Sequence, residues 1–369
     1  MPFSVFLTSD IHLGMKFAGF PEAAQAALVE ARFRCLERMV EEAGRRRCDL
    51  FVVAGDLFDR ISVSARDVRR AASALAAFPG KLAVVMPGNH DYLAPGDPLW
   101  PAFRAACGDA VLFLDEARPY PLSRYDVDAC LYPGPCLSRH SRVNAVGWVK
   151  AAPRDPAITH HVGIAHGSLE GFSPDFKEDY YPMRTAELLQ TGLELWLMGH
   201  THLPFPRSPG AADRIYYPGT PEPDGFDCTH EGSAWVVELD VDGGTRAAPV
   251  RTGSLRFVEE SLAIREARDL EHLESRYGGE EARRMLLRVT LAGRLPRESL
   301  GDVGSLARRM ADRLLYLDLR TGALAEEITP EMIDREYPQG SFPHSLLTRL
   351  AGDAEALALA QELLEESRR

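Results

Sequence analysis

SVFLTSDIH (4–12) joins a short run of apolar and β-branched residues directly to an aspartate and a histidine. Four later segments repeat this design, each ending on polar residues of similar kinds: LFVVAGDLFD (50–59), LAVVMPGNHD (82–91), HVGIAHG (161–167) and LELWLMGHTH (193–202). Apolar runs of this length are typical of strands that are buried on both faces. Helix-length segments at 22–44 and 64–78 separate the first three runs. This alternation predicts an α/β core.

The pattern of the chain changes after about residue 205. Turn residues become dense there, and strand-like segments at 215–219 and 234–241 predict an antiparallel β segment that completes a first domain, 1–255. Residues 256–322 have the pattern of a β-α-β-α-β unit without an Asp/His cluster, which we expect to be a small α+β accessory domain. A C-terminal helical segment follows at 323–369.

Composition excludes several classes of protein. The 369 residues are 45% hydrophobic and 26% charged, which excludes a disordered or collagen-like chain. Lys and Arg number 42 against 54 Asp and Glu, a formal net charge of −12. That balance argues against a protein that coats nucleic acid or an anionic membrane by bulk electrostatics. An enzyme that acts on phosphates at one local site remains compatible with it.

The sequence also predicts a location in the cell. Its N-terminus begins with a strand-like segment and not with a signal peptide, and no apolar run approaches the ~20 residues needed to cross a bilayer. The six cysteines form no C-x-x-C pair, so we expect free thiols in a reducing compartment. A cytoplasmic protein with no membrane partner is therefore the expectation.

Polar residues at the five strand ends form a set of candidate metal ligands. Because the carboxyl ends of strands line the binding crevice of an α/β sheet, residues far apart in sequence can meet there. The set mixes carboxylate, amide and imidazole groups: Asp10, His12, Asp56, Asn89, His166, His200 and His202. Such ligands suit Mn²⁺, Fe²⁺ or Zn²⁺ better than Ca²⁺. Seven are too many for one tetrahedral ion and about right for two ions roughly 3.5–4 Å apart that share a carboxylate.

The order of the motifs D-x-H, GDLFD, GNHD, a single histidine after a strand and GHTH resembles that of the calcineurin-like metallophosphoesterase superfamily. Within it, the chain is similar to the DNA-repair nuclease family of the bacterial SbcCD type. The resemblance covers 1–220 and extends more weakly through the small unit, where that family carries a capping domain. It implies an α/β protein with a metallophosphoesterase-type β-sandwich flanked by helices.

The same resemblance implies a ligand set for each of two divalent ions. One ion would be held by Asp10, His12 and His202. The second would be held by Asn89, His166 and His200, with Asp56 bridging both. Mn²⁺ is the expected metal, with Fe²⁺ and Zn²⁺ as alternatives.

Two further residues receive catalytic roles from the resemblance. His90 would be the general acid, protonating the leaving oxygen or stabilising the transition state. Asp59 would keep that imidazole charged and oriented. Some nuclease relatives carry a histidine at the position of Asp59, so this chain departs from them there.

The leading functional hypothesis is a two-metal phosphodiesterase that acts on DNA by in-line attack at phosphorus, as an exo- or endonuclease subunit in DNA repair. The resemblance implies DNA as the substrate, a coiled-coil ABC-type ATPase as a partner and a second copy of the chain as another. Two bound ions would change the net charge to −12 + 4 = −8. We therefore expect the free subunit to bind DNA weakly, with a partner supplying further contacts.

Two other functions remain open on the sequence. A small-molecule phosphodiesterase or pyrophosphatase would use the same catalytic motifs. A non-catalytic scaffold would keep the fold as a platform for partners, although every ligand position is filled. A protein Ser/Thr phosphatase is disfavoured, because that branch typically reads GNHE where this chain reads GNHD (88–91).

The sequence leaves two roles open for several residues and segments. Asp91 would either support a ligand or form a plain turn, and the loop 217–232 would either line the substrate groove through Phe226 or His230 or lie on the surface. The helix at 353–367 would either dock on a partner or pack on its own domain. We expect structural roles for six histidines and sharp turns at three glycines: His140, His160, His161, His230, His272 and His344, and Gly55, Gly88 and Gly199.

Overall fold

The computed structural model describes residues 3–175, 177–241 and 243–367, which form two compact units. The first unit ends at Phe257 and the second begins at Val258. This boundary is two residues beyond the one expected from the sequence. No further division separates 256–322 from 323–369 within the described part of the second unit.

The first unit contains eleven described strands and four described α-helices. Its strands are β1 (Phe3–Thr8), β2 (Leu50–Ala54), β3 (Leu82–Met86), β4 (Val111–Phe113), β5 (Tyr120–Pro121), β6 (Ala129–Gly134), β7 (His160–His166), β8 (Leu195–Gly199), β9 (Ile215–Tyr216), β10 (Ser233–Leu239) and β11 (Thr245–Arg251). Its helices are α1 (Glu22–Arg45), α2 (Ala65–Ala76), α3 (Leu99–Cys107) and α4 (Thr185–Gln190).

These strands form two sheets packed face to face. One has the order β11-β10-β1-β2-β3-β4, and the other has the order β5-β6-β7-β8-β9. Alternate residues of strands from both sheets, such as Val52 and Ile164, fill the apolar layer between them. The opposite face of the first sheet, including Phe51, packs on α1, α2 and α3. The α/β sandwich with flanking helices that the sequence predicts is confirmed.

Strand direction brings the predicted site residues to one edge. β1, β2, β3 and β4 are parallel to one another, as are β6, β7, β8 and β9. Strands β10 and β11 form the expected antiparallel segment, with β10 also antiparallel to β1. The segment at 215–219 does not belong to it, because β9 pairs in parallel with β8 in the other sheet. The pairing of β9 with β8 depends on the path of the chain and is not visible in the local sequence pattern.

The second unit has a three-stranded sheet and five α-helices in its described residues. Its elements are β12 (Arg256–Ile264), α5 (Ala267–Tyr277), β13 (Met285–Leu295), α6 (Arg297–Ala311), β14 (Tyr316–Glu326), α7 (Pro330–Glu336), α8 (Phe342–Leu350) and α9 (Ala354–Glu366). Strand β13 lies in the centre of the sheet, and its residues Leu287, Val289 and Leu291 form a core with α5 and α6. The backbone N–H of Ala356 donates to Asp353 Oδ1 at 3.1 Å, so Asp353 caps α9.

All six cysteines are free thiols. Among the helices described here, none combines the length and the apolar character needed to span a bilayer.

Candidate metal centre

The seven predicted ligands converge at the carboxyl ends of five strands. The first sheet supplies four of them and the second sheet three: Asp10 and His12 after β1, Asp56 after β2 and Asn89 after β3, then His166 at the end of β7 and His200 and His202 after β8. The site therefore lies where the edges of the two packed sheets meet.

One group of ligands joins residues after β1 to a residue after β8. The Nε2 atoms of His12 and His202 lie 3.2 Å apart. Asp10 Oδ1 lies 3.7 Å from the Nε2 of His202 and 4.0 Å from that of His12. Two imidazole nitrogens and a carboxylate oxygen this close can share one cation, and these three residues are the group that the resemblance assigns to the first ion.

A second group surrounds Asn89. Its Oδ1 lies 3.0 Å from His166 Nε2 and 3.1 Å from His200 Nδ1. His166 donates its Nδ1–H to the carbonyl oxygen of Ala54 at 2.8 Å, which orients Nε2 toward the centre. An amide oxygen and two imidazole nitrogens suit a divalent transition-metal ion.

Asp56 lies between the two groups. Its Oδ2 is 3.3 Å from His166 Nε2 and 3.7 Å from His12 Nε2. Its other oxygen, Oδ1, accepts the backbone N–H of His90 at 2.8 Å. One carboxylate oxygen thus faces a ligand from each group, as a bridging ligand would.

The cluster is buried and strongly polar. Asp10, His12, Asp56 and His166 are each at most 1% exposed. Burial raises the pKa of Asp10 and holds the pKa of His12 well below its usual range. Burial would also raise the pKa of Asp56, but the charge of His166 and its hydrogen bond hold that pKa below its usual range. Buried carboxylates and imidazoles packed this closely suit divalent cations, which would balance the carboxylate charge.

Four predicted ligands have left-handed backbone conformations. The φ angles are 54° at Asp10, 49° at His12, 53° at Asp56 and 98° at His200. Such angles are uncommon for residues other than glycine and cost on the order of 1–3 kcal/mol each. The surrounding structure maintains this strain at the residues whose side chains meet in the cluster.

Three glycines leave room for the ligands. Only Gly55 has a positive φ, 92°, so the sharp turns expected at Gly88 and Gly199 do not explain those two residues. A methyl group added at Gly88 would lie 2.2 Å from Asp56 Oδ1, and one at Gly199 would lie 2.7 Å from His166 Nδ1. Close approach of the backbone to the ligands is therefore the reason for glycine at these positions.

His90 lies beside the cluster, and its contact with Asp59 differs from the expected one. The Nδ1–H of His90 donates to the backbone carbonyl of Asp59 at 3.1 Å. The carboxylate of Asp59 pairs with Arg60 and has an oxygen 4.0 Å from His12 Nδ1. The contact that orients His90 thus comes from the main chain of Asp59 and not from its carboxylate. A ring nitrogen of His90 also lies within 4.8 Å of potential ligand atoms of His12 and Asp56, so the ring borders the proposed metal centre.

Asp91 braces two loops of the site. Its carboxylate accepts the backbone N–H of Phe58 at 2.9 Å and that of Gly88 at 2.7 Å. Burial raises the pKa of Asp91 to about 8. These hydrogen bonds favour a supporting role for Asp91, at the loops that carry Asp56 and Asn89, over a plain turn.

Sequence reasoning missed Asp224. Its Oδ2 accepts the Nδ1–H of His202 at 2.8 Å and lies 3.8 Å from Nη2 of Arg32. The residue lies in PEPDGFD (221–227), where turn residues give no signal of a contact with the GHTH motif. His230, in the same loop, donates from Nε2 to the backbone carbonyl of His202 at 2.6 Å and so has a structural role. Phe226 packs against Phe20 and Phe257.

A cleft of about 1090 Å³ opens over the cluster. Its lining includes Asp56, Asn89, His90, His200 and His202 from the predicted set. Beyond them, one lysine and four carboxylates line it: Lys177, and Asp175, Asp179, Asp224 and Asp227.

One of the histidines expected to be structural also lines the cleft. The ring of His140 lies 5.0 Å from that of Tyr180, whose ring lies 4.9 Å from that of His200. Besides His230, two others have partners away from the cleft: His161 hydrogen-bonds to the Tyr132 hydroxyl, and His344 hydrogen-bonds to Asp334.

The chain is similar to a protein family and to several known proteins. The family profile described as Calcineurin-like phosphoesterase matches residues 3–204. The chain is 27% identical over 205 residues to a protein named uncharacterized metallophosphoesterase YhaO from Bacillus subtilis, covering 53% of this chain and 47% of that protein. It is also 27% identical over 224 residues to a protein named DNA double-strand break repair protein Mre11 from Methanopyrus kandleri, covering 58% and 48%.

The chain thus spans about half the length of these curated relatives. Among solved structures, TT1561 of Thermus thermophilus aligns with 67% of this chain and 99% of its own, at 12% identity and a TM-score of 0.39.

Proposed function

The chain belongs to the calcineurin-like phosphoesterase family, and from this premise we propose that it is a metal-dependent phosphodiesterase that cleaves DNA. The observation that carries the proposal is the position of Asp56, whose Oδ2 faces His166 at 3.3 Å and His12 at 3.7 Å. Two ions that share a carboxylate suit in-line displacement at phosphorus.

We propose that Asp10, His12 and His202 hold one divalent ion and that Asn89, His166 and His200 hold the other, with Asp56 between them. The mixed carboxylate, amide and imidazole donors support Mn²⁺, with Fe²⁺ and Zn²⁺ as alternatives. When bound, such ions activate water and neutralise charge on phosphoryl oxygens.

His90 is proposed to protonate the leaving oxygen. Because its Nδ1–H is held by the carbonyl of Asp59, the proton that His90 would give to the leaving oxygen is the one that its imidazolium form carries on Nε2. Its backbone N–H donates to Asp56 Oδ1, which fixes the residue beside the proposed metal bridge. The ring lines the cleft, where a substrate can reach it.

DNA as the substrate is supported by the relative from Methanopyrus kandleri, whose name states a role in double-strand break repair. We propose the corresponding role for this chain, as a cytoplasmic exo- or endonuclease subunit. With a net charge of −12, the chain alone would bind a polyanion weakly. A coiled-coil ABC-type ATPase, and a second copy of the chain, are the proposed partners that supply further contacts.

One observation favours a different substrate, a small phosphodiester or pyrophosphate. Apart from Asp56, four carboxylates line the cleft against one lysine among the described residues. Carboxylates beside the site would repel the phosphates that flank the scissile bond of a DNA strand, whereas a small ester has no flanking phosphates.

Purified protein with Mn²⁺ should be offered linear double-stranded DNA, single-stranded DNA and bis-p-nitrophenyl phosphate. We expect cleavage of the small ester and of at least one DNA substrate. Cleavage of the ester alone would contradict DNA as the substrate and favour the small-molecule alternative. A chain that binds no Mn²⁺ and cleaves nothing would favour a non-catalytic scaffold.

A further inference from the structure

We propose that Asp224 is a positioning residue that fixes the ring orientation and tautomer of His202, so that His202 Nε2 is directed at the ion shared with Asp10 and His12. The inference rests on the proposed metal-dependent function and deepens it. It concerns a residue outside the sequence motifs that carry the ligands.

The hydrogen bond determines which nitrogen is available. Asp224 Oδ2 lies 2.8 Å from His202 Nδ1, so that nitrogen carries the proton and donates it to the carboxylate. The lone pair of a neutral His202 is then on Nε2. That atom lies 3.2 Å from His12 Nε2 and 3.7 Å from Asp10 Oδ1, where the first ion would bind.

His202 needs such a contact more than the other ligands of its group. Its side chain is 39% exposed, whereas those of Asp10 and His12 are at most 1% exposed and enclosed by packing. His230 fixes the backbone of His202 through the carbonyl oxygen, but it leaves the ring free to rotate about its side-chain bonds. The contact with Asp224 holds the ring at Nδ1, on the side opposite the proposed ion.

Asp224 is itself held in place by a buried arginine of α1. Arg32 is 1% exposed, and its Nη1 donates to the carbonyl oxygen of Ile11 at 2.6 Å. Its Nη2 lies 3.8 Å from Asp224 Oδ2 and makes no hydrogen bond to the described residues. Because Ile11 lies between Asp10 and His12, the guanidinium connects the loop that carries two ligands to the carboxylate that orients the third.

Mn²⁺ binding should be measured by titration calorimetry on wild type, Asp224→Ala and Asp224→Asn, with Asp227→Asn as the control. Asp227 lines the same cleft and is exposed, so its variant removes an equal charge without removing the His202 contact. We expect Asp224→Ala to weaken one of two Mn²⁺ sites by about 10–100-fold. The Mn²⁺ affinity of Asp224→Asn should lie between those of wild type and Asp224→Ala, because the amide oxygen can still accept the Nδ1–H of His202. The affinity of Asp227→Asn should match wild type.

A spectroscopic measurement tests the contact without metal. Long-range ¹H–¹⁵N spectra of metal-free protein report which nitrogen of each histidine is protonated, and the His202→Gln variant identifies the signals of His202. We expect the Nδ1–H form in wild type and in Asp227→Asn, and a shift toward the Nε2–H form in Asp224→Ala. A residue with a purely structural role would not change this tautomer.

Thermal unfolding in the presence of a chelator identifies any variant that fails to fold. If Asp224→Ala fails to fold, Asp224→Asn is compared with wild type in its place. Wild-type affinity at both sites together with an unchanged tautomer in Asp224→Ala would overturn the inference and leave the proposed function intact. Equal weakening of both sites would also overturn it. If wild type binds no Mn²⁺, the proposed metal function fails, and an unchanged tautomer would then overturn the orienting contact as well.

Discussion

At Gly199, an added methyl group would lie 2.1 Å from the carbonyl oxygen of Ala54 and 2.7 Å from His166 Nδ1. Both neighbours are fixed, because they hydrogen-bond to each other at 2.8 Å. We therefore expect Gly199→Ala to lower the free energy of unfolding by about 1–3 kcal/mol, the usual cost of overpacking. It should also weaken Mn²⁺ binding, since His166 must move. Urea unfolding and metal titration measure the two effects.

Gly304→Ala is the matched control. Gly304 lies on an exposed face of α6, and nothing is within 4 Å of the position that its methyl group would take. Alanine should stabilise that helix by up to about 1 kcal/mol. Equal stability of Gly199→Ala and wild type would show that the site tolerates a larger residue there.

His90→Ala separates proton transfer from metal binding. The backbone N–H that donates to Asp56 Oδ1 remains in the variant, so Mn²⁺ affinity should stay within a few-fold of wild type. Cleavage of a dinucleotide should slow by about 10²–10⁴-fold, the usual contribution of a general acid. Hydrolysis of bis-p-nitrophenyl phosphate should slow less, because nitrophenolate leaves without a proton. Equal losses on both substrates would contradict the general-acid role.

Among single residues, the sequence indicates those whose position follows from a strand end and misses those placed by a loop. Asp10 and His166 could be predicted because a buried strand precedes each. Asp224 could not, because its contact with His202 depends on the path of the loop between them. For Asp59, the family resemblance predicts a contact with His90 through the carboxylate. In the structure the backbone carbonyl of Asp59 makes that contact.

At the scale of elements, Arg70 joins α2 to α1. Its Nη1 and Nη2 contact the two carboxylate oxygens of Glu30 at 2.6 and 2.9 Å, and its Nε lies 3.0 Å from Glu37. The guanidinium also lies over the ring of Phe33, 4.5 Å from the centroid. The Arg70 hydrogen bond lowers the pKa of Glu30 to about 2.

Glu30→Gln should reduce stability in a pH-dependent way. The folded chain holds this carboxylate deprotonated more strongly than the unfolded chain does, so the stabilisation is present above about pH 4.5 and is lost as the pH falls toward about 2. Because the side chain is 42% exposed, we expect only about 0.5–1 kcal/mol at pH 7. Urea unfolding at several pH values measures the difference. Glu41→Gln, at an exposed position of the same helix, is the control, and an equal effect there would contradict the prediction.

Elements differ in how well the sequence predicts them. Strands β1, β2 and β3 are short continuous apolar runs, and helix α1 has apolar residues at helical spacing, so their positions could be predicted. Strand β5 has two residues, Tyr120–Pro121, and such a segment carries no period. The pairing of β9 with β8 depends on the return of the chain across the second sheet, which no local pattern encodes.

At the scale of the whole molecule, all seven proposed ligands belong to the first unit. We expect Mn²⁺ to slow amide hydrogen exchange in the loops after β1, β2 and β8, because ligand binding suppresses local opening. Exchange in β13, in the second unit, should not respond. Exchange mass spectrometry with Mn²⁺ and with a chelator measures both regions, and equal protection of β13 would contradict the prediction.

The convergence of ligands from both sheets gives the proposed ions a mechanical role. His12 and His202 are 190 residues apart in sequence, so an ion bound to both would close a long loop of the chain. Closing such a loop restricts the unfolded chain, as a disulfide does in a secreted protein. All six cysteines are free thiols, so no disulfide joins the two sheets. Bound ions would instead act as reversible cross-links between the sheets at the edge where the ligands meet. Metal supply would then set both the activity of the protein and the resistance of its sheets to separation.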